Sequence, residues 1–172
     1  MERWSIEIDK EYLKFSAAHF LIFPDGTAER LHGHNYHVRA SIEARLTEHG
    51  LVMDFQHIKP VVRALVDELD EHWLVPGRHP DLSVEEAGDH VEVRWKSRRY
   101  RAPKDDVIVL PINNTSAENL SAYLGRRLLD ELRDQYPDVE VARLVFKVQE
   151  TAGQRGVWTF TPDGSRPRGW PA

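Results

Sequence analysis

Residues 35–46 read "NYHVRASIEARL". Tyr36, Val38, Ala40, Ile42 and Ala44 are apolar, and each residue between them is polar. Side chains of a strand point alternately to opposite faces, so this period of two predicts a long β-strand with one buried face. Upstream, "WSIEI" (4–8) and "YLKFSAAHF" (12–20) also read as strand, and the loop that follows turns at Asp25-Gly26. The long strand is expected to pair antiparallel with this first segment. Downstream, "TEHG" (47–50) closes a turn into "LVMDF" (51–55), expected as a further short strand.

Two segments carry helical spacing instead. Val62, Leu65, Val66 and Leu69 predict a helix over about 59–70. Pro60 suits a first turn and not an interior, so 55–58 reads as a lead-in turn. In the second helix Thr115-x-x-Glu118 fits a capping box, and Leu120, Tyr123, Leu124, Leu128 and Leu132 form the apolar face. Pro137 marks its end. Between the helices, residues 77–105 form a charged insertion in which "HVEVRW" and "RRYRAP" predict a hairpin turning at Lys96-Ser97. That insertion reads either as a solvated hairpin with charged, aggregation-resistant edges or as a basic rim for an anionic substrate. The strands "VEVARLVFKVQE" (139–150) and "GVWTFTP" (156–162) follow. We expect a single domain over 1–161 and a loose tail at 162–172. The order predicts an α+β fold, an antiparallel sheet with both helices on one face.

Composition excludes several classes. In 172 residues, 28 acids outnumber 23 bases for a net charge of −5, and the two signs are mixed along the chain. No nucleic-acid or anionic-membrane partner is expected. The strongly apolar run "VIVLPI" is far below the ~20 residues a spanning helix needs. The N-terminus is charged from residue 2, with no secretory core, so a cytoplasmic protein is expected. There is no cysteine, so any zinc must rest on histidine and carboxylate.

Just upstream of the decisive strand stands "LHGHNYHV" (31–38). Residues two apart in an extended chain project to the same side, roughly 6.5–7 Å apart. His32 and His34 therefore aim the same way, with no side chain on Gly33 between them. His19 ends the preceding strand, and a hairpin brings it back toward the pair. Three neutral imidazoles leave a fourth position on Zn2+ for water or substrate, the arrangement of a catalytic site. His37 is out of phase with the pair. His49, His57, His79 and His90 sit in turns or charged segments and read as surface.

"FSAAHF", "LHGHNYHV", "MDF", "ELDEHWL", "TSAENL" and "KVQET" occur in that order. This series resembles the family of 6-pyruvoyl-tetrahydropterin and 6-carboxy-tetrahydropterin synthases, over residues 4–160 apart from the insertion. The resemblance implies the tunnelling fold (T-fold). It also implies a homohexamer built as a dimer of trimers, with active sites between subunits. Its substrates are 7,8-dihydroneopterin triphosphate and related dihydropterins. Its zinc ligands fall on His19, His32 and His34, the set already reached from spacing. Its pterin anchor falls on Glu150, whose carboxylate can accept two donors from the planar edge of a pterin. Thr115 and Ser116 match a region that lines the pterin pocket, although Thr115 also suits a helix cap.

Two positions depart from the family pattern. A catalytic cysteine is expected a few residues before His-Gly-His, and the window here reads "TAER". It offers Glu29, as in a family branch linked to folate synthesis that cleaves the substrate to 6-hydroxymethyl-7,8-dihydropterin. In "LDEHWL", Asp70 is in place, but Glu71 occupies the position of the partner histidine and His72 follows one later. On a continuing helix that step is a ~100° rotation, so Glu71 rivals His72 for the proton-transfer role shared with Asp70. The expectation is a zinc-dependent pterin lyase giving 6-hydroxymethyl-7,8-dihydropterin, with Glu29 as base. Synthesis of 6-carboxy- or 6-pyruvoyl-tetrahydropterin is the alternative within the family. A hexamer that binds pterin without converting it is the alternative outside catalysis.

Overall fold

The structure, a computed structural model, describes residues 2–162, so the expected tail lies outside the described residues beyond Pro162. The decisive stretch forms β3 (His32–Ala44), which starts at His32 because His32 and His34 continue the phase of Tyr36. One edge of β3 is shared by β1 (Trp4–Ile8), opposite residues 40–44, and β2 (Lys14–His19), opposite residues 32–37. Its other edge carries β9 (Arg143–Thr151), flanked by β10 (Gln154–Phe160). All these pairings are antiparallel, as expected.

Beyond β2 the sheet becomes mixed. β4 (His72–Pro76) pairs parallel with β2, and β8 (Val107–Leu110) pairs parallel with β4. Neither strand was anticipated, because neither alternates. Leu74 and Leu110 enter the main core, whereas Trp73 and Val75 enter a second core on the opposite face. β4, covered on both sides, reads as a continuous apolar run in which the period-two signal disappears; β8 is apolar throughout although Val109 stays exposed.

The second core comes from the insertion, which contains a three-stranded sheet: β5 (Ser83–Ala87), β6 (His90–Trp95) and β7 (Arg98–Pro103). The hairpin turns at Lys96-Ser97 as predicted; β5 is an addition. Val91, Val93 and Trp95 bury against Phe20, Ile22, Trp73 and Val75, so the hairpin is not solvated on both faces. On the other face Arg94 bonds Glu92 at 2.7 Å, and at the end of the insertion Lys104 bonds Glu86. Partnered within the insertion, those two cations do not form the free basic rim considered above.

Both helices lie on the remaining face. α1 (Phe55–Asp67) starts earlier than expected, and "LVMDF" is not a strand. Val52 and Met53 are buried, but Asp54 leaves the extended run to cap α1, accepting the Gln56 N–H at 2.8 Å. Residues 55–58, expected as a turn, are helical because Ile58 is fully buried in the core. Pro60 therefore sits inside the helix and deprives the Gln56 carbonyl of its usual donor. α2 (Ala117–Gln135) is capped by Ser116, whose hydroxyl accepts the Asn119 N–H at 3.3 Å, one residue later than the predicted Thr115 cap. Leu120, Leu124, Leu128 and Leu132 are buried as predicted. α2 can approach β10 closely because a Cβ on Gly156 would meet the Ala117 carbonyl carbon at 2.2 Å. The result is an α+β T-fold, with a curled mixed sheet and two helices packed on one face.

Candidate metal centre

Register alone assembles most of the site. His19 pairs directly with His32, and Ala17 pairs with His34 on one side and His72 on the other. Cross-strand partners share a face, so His19, His32, His34 and His72 project from the helix-bearing side of the sheet. Gly33 fits between the two β3 ligands under tight constraint, since a Cβ there would lie 3.2 Å from the Ala17 carbonyl oxygen.

The imidazoles of His19, His32 and His34 converge, with one nitrogen from each lying within 4.8 Å of the others. Two are oriented by the main chain. His19 Nδ1–H donates to the Thr115 carbonyl at 3.1 Å, and His32 Nδ1–H donates to the Arg30 carbonyl at 2.8 Å. Both Nε2 atoms are thereby left as lone-pair donors for a cation. The His32 and His34 Nε2 atoms lie 2.9 Å apart. That is near the ~3.3 Å separation of two nitrogens bound to one tetrahedral metal at ~2.0–2.1 Å. Desolvation, then the neighbouring His32, lowers the pKa of the fully buried His19 to about 4, which keeps it neutral and metal-competent at pH 7. The donor set fits a cation bound through nitrogen.

Glu150, from β9, stands beside the trio. Its Oε1 is 3.4 Å from His19 Nε2 and 3.9 Å from His34 Nε2. It also accepts the Tyr36 hydroxyl at 3.2 Å, while that hydroxyl lies 3.1 Å from His19 Nε2. Tyr36 was expected only as a core residue, and its ring does stack on Phe15 at 4.8 Å. The signal for more was a fully buried tyrosine where phenylalanine would pack as well, since a buried hydroxyl needs a partner. Burial, then the Glu150 charge, raises the Tyr36 pKa far above its ordinary value, so the phenol stays protonated.

The other expected residues divide. The half-buried Glu29 lies on the loop before β3, and its Oε2 accepts the Leu21 N–H at 3.0 Å. Thr115 reaches His19 through its carbonyl, while its own hydroxyl donates to the Phe20 carbonyl at 3.2 Å. Ser116 caps α2. Asp70 spends one carboxylate oxygen on the Ser16 N–H at 2.7 Å. His72 reaches Asp70 only through the main chain, its Nδ1–H donating to the Asp70 carbonyl at 2.6 Å. The rotation argument against His72 does not apply, because α1 ends at Asp67 and His72 opens β4. Glu71 lies between them with φ of 60°. A groove of about 530 Å3 bounded by Ser16, Gly33, His34, Asn35 and His72 runs alongside.

A mixed sheet carrying three convergent histidines beneath the start of a helix places a candidate metal site on the T-fold. The model of the 6-pyruvoyl tetrahydropterin synthase family matches residues 7–157, and the chain belongs to that family. It is 33% identical to a putative 6-carboxy-5,6,7,8-tetrahydropterin synthase of Methanocaldococcus jannaschii, over 71% of this chain and 75% of that protein. A Pyrococcus horikoshii protein with the same description is 29% identical over 88% and 90% of the two chains. The crystal structure of 6-pyruvoyl tetrahydropterin synthase from Plasmodium vivax superposes with a TM-score of 0.88 at 26% identity, covering 94% of this chain and 99% of that one. That enzyme has also been solved with a glutamate, described as its catalytic residue, replaced by alanine. Among the described residues no helix is long and apolar enough to cross a membrane.

Proposed function

We propose that the chain is a zinc-dependent pterin lyase that converts 7,8-dihydroneopterin triphosphate to 6-carboxy-5,6,7,8-tetrahydropterin. The observation that carries this reading is the convergence of His19, His32 and His34 with the Glu150 carboxylate alongside. The descriptions of the archaeal relatives support the product. Zinc held by the three imidazoles would polarise the side-chain hydroxyls of the substrate and ease loss of their protons.

The protein's own groups divide the remaining work. Glu150 accepts the 2-amino and N3 hydrogens of the pterin, and the Tyr36 hydroxyl fixes one of its oxygens. Glu29 takes the side-chain proton; its Oε2 is steadied by the Leu21 N–H, leaving Oε1 for the transfer. His72 is the second proton-transfer group, on the site face of β4, while Asp70 positions that segment through Ser16. Thr115 and Ser116 act behind the site, one holding His19 and the other starting α2. The site is completed between subunits of a homohexamer, whose mass light scattering would report.

A second reading, side-chain cleavage to 6-hydroxymethyl-7,8-dihydropterin, is favoured by Glu29 standing where a thiol is otherwise expected. The catalytic glutamate of the Plasmodium vivax enzyme lends it support. Mass spectrometry of the product from zinc-loaded protein separates the two. Glu29→Gln is expected to remove most turnover while zinc stoichiometry stays unchanged. Full turnover in that variant would end the role given to Glu29, and tight pterin binding without product in the native protein would end the lyase reading.

A further inference from the structure

We propose that Arg98, at the start of β7, is a positioning residue that sets the catalytic loop through Glu29; this rests on the assignment of Glu29 as base. Residues 21–30 leave β2 and return to β3 as a small two-legged loop. Its legs are joined by the Ile22–Ala28 bridge, with the Glu29 N–H donating to the Leu21 carbonyl at 2.9 Å and the Phe23 N–H to the Thr27 carbonyl at 2.8 Å. On the helix-bearing side, Asn114 holds the first leg, its Nδ2–H donating to the Ile22 carbonyl at 2.8 Å.

The second leg, which carries Glu29, is held by the insertion. Arg98 Nη1–H donates to the Glu29 carbonyl, and Nη2–H donates to the Ala28 carbonyl at 3.2 Å. Lys96 donates to the Gly26 carbonyl at the tip. Both cations are themselves braced. The Arg98 guanidinium lies 5.1 Å and the Lys96 ammonium 4.7 Å from the centroid of the Trp95 ring, which is anchored in the second core. Arg98 is also the cross-strand partner of Trp95.

Two carbonyls of consecutive residues held by one planar guanidinium fix the two peptide planes that flank the Glu29 Cα, from which its side chain leaves. A carboxylate on an untethered loop would sample many directions, and displacement of a reacting group by about 1 Å can cost about a hundredfold in rate. The insertion thus acts through the main chain that carries Glu29. The same contacts explain why Lys96 and Arg98 face the loop rather than the ion pairs on the outer face of the insertion.

The test combines Arg98→Met, which keeps the stem over Trp95 but loses both donors, with Glu29→Gln and the double variant. All are full-length, zinc-loaded and assayed on 7,8-dihydroneopterin triphosphate. Arg98→Met is expected to lower kcat by about tenfold or more with KM within about twofold, and to add no further loss in the Glu29→Gln background. Amide hydrogen exchange is expected to quicken at residues 21–30 and stay unchanged in α2. Arg98→Lys, which can keep one carbonyl contact, is expected to fall between the two and carries the test if Arg98→Met melts early. An unchanged kcat in Arg98→Met beside an impaired Glu29→Gln overturns the positioning role alone. So does an equal loss in both backgrounds, or unaltered exchange in the loop. Full activity in Glu29→Gln removes the base assignment, and this role of Arg98 with it.

Discussion

Tyr36 shows how much of the site depends on single atoms. Its ring belongs to the core, and its hydroxyl belongs to the centre, placed between His19 and Glu150. Because burial holds the phenol protonated, its hydroxyl keeps the proton it donates to the Glu150 carboxylate. A hydrogen bond to a charged acceptor contributes roughly 1.5–3 kcal/mol. Tyr36→Phe keeps the stack on Phe15 and frees the carboxylate to turn. The expected outcome is a folded protein with pterin affinity about tenfold or more weaker, read by fluorescence titration. Unchanged affinity would show that Glu150 needs no such restraint. This atom was hard to find from sequence, because alternation marks Tyr36 as buried and says nothing of the hydroxyl. The histidines were legible for the opposite reason: their chemistry and their periodicity coincide. The supports of His19 and His32 were not legible, since both are carbonyls, which every residue carries.

At the scale of elements, α1 is the instructive misreading. Proline rules placed its start after residue 58, but burial of Ile58 and the Asp54 cap put it at Phe55. Packing prevailed over propensity, and the helix tolerates Pro60 on its exposed side at the expense of one backbone bond. Pro60→Ala restores the donor to the Gln56 carbonyl. An interior proline costs ~3 kcal/mol, and the more flexible unfolded chain takes back ~1, so the variant is expected to be about 2 kcal/mol more stable. A denaturant midpoint shifted upward at constant slope would confirm this; a downward shift would mean that the proline helps to set the helix entry. The two parallel strands were missed on similar grounds. "WLVP" is buried by the main core on one side and by the insertion on the other, so tertiary covering removed the pattern on which recognition depends, whereas "VIVL" is four apolar residues of which Leu110 alone is buried, too short and uniform to show a period. The H-G-H strand and the Lys96-Ser97 hairpin each kept one wetter face and were readable.

Over the whole molecule, the histidine cluster joins β2, β3, β9 and the start of α2, so protonation of one of its members is felt as stability of the fold. His19 is free to take a proton near pH 6.5 when unfolded but holds off until about 4 when folded. Between those values the unfolded chain binds the extra proton, so stability rises with pH through the window and falls as acid is added. The metal-free protein is expected to lose up to roughly 3 kcal/mol between about pH 6.5 and pH 4, and little more from this group below that. Thermal melts in chelator across the range read the slope. His19→Gln, which removes the titrating group, should flatten it between pH 6.5 and 5, above the range in which ordinary carboxylates titrate. With the proposed zinc site, saturating zinc is expected to add stability by binding the folded form, and that increment should shrink over the same window as protons compete for the imidazoles. A chelated protein whose melting temperature ignores pH from 6.5 to 5 would mean that His19 is not held neutral by its burial. The trio would then lack the poise that the proposed cation site requires.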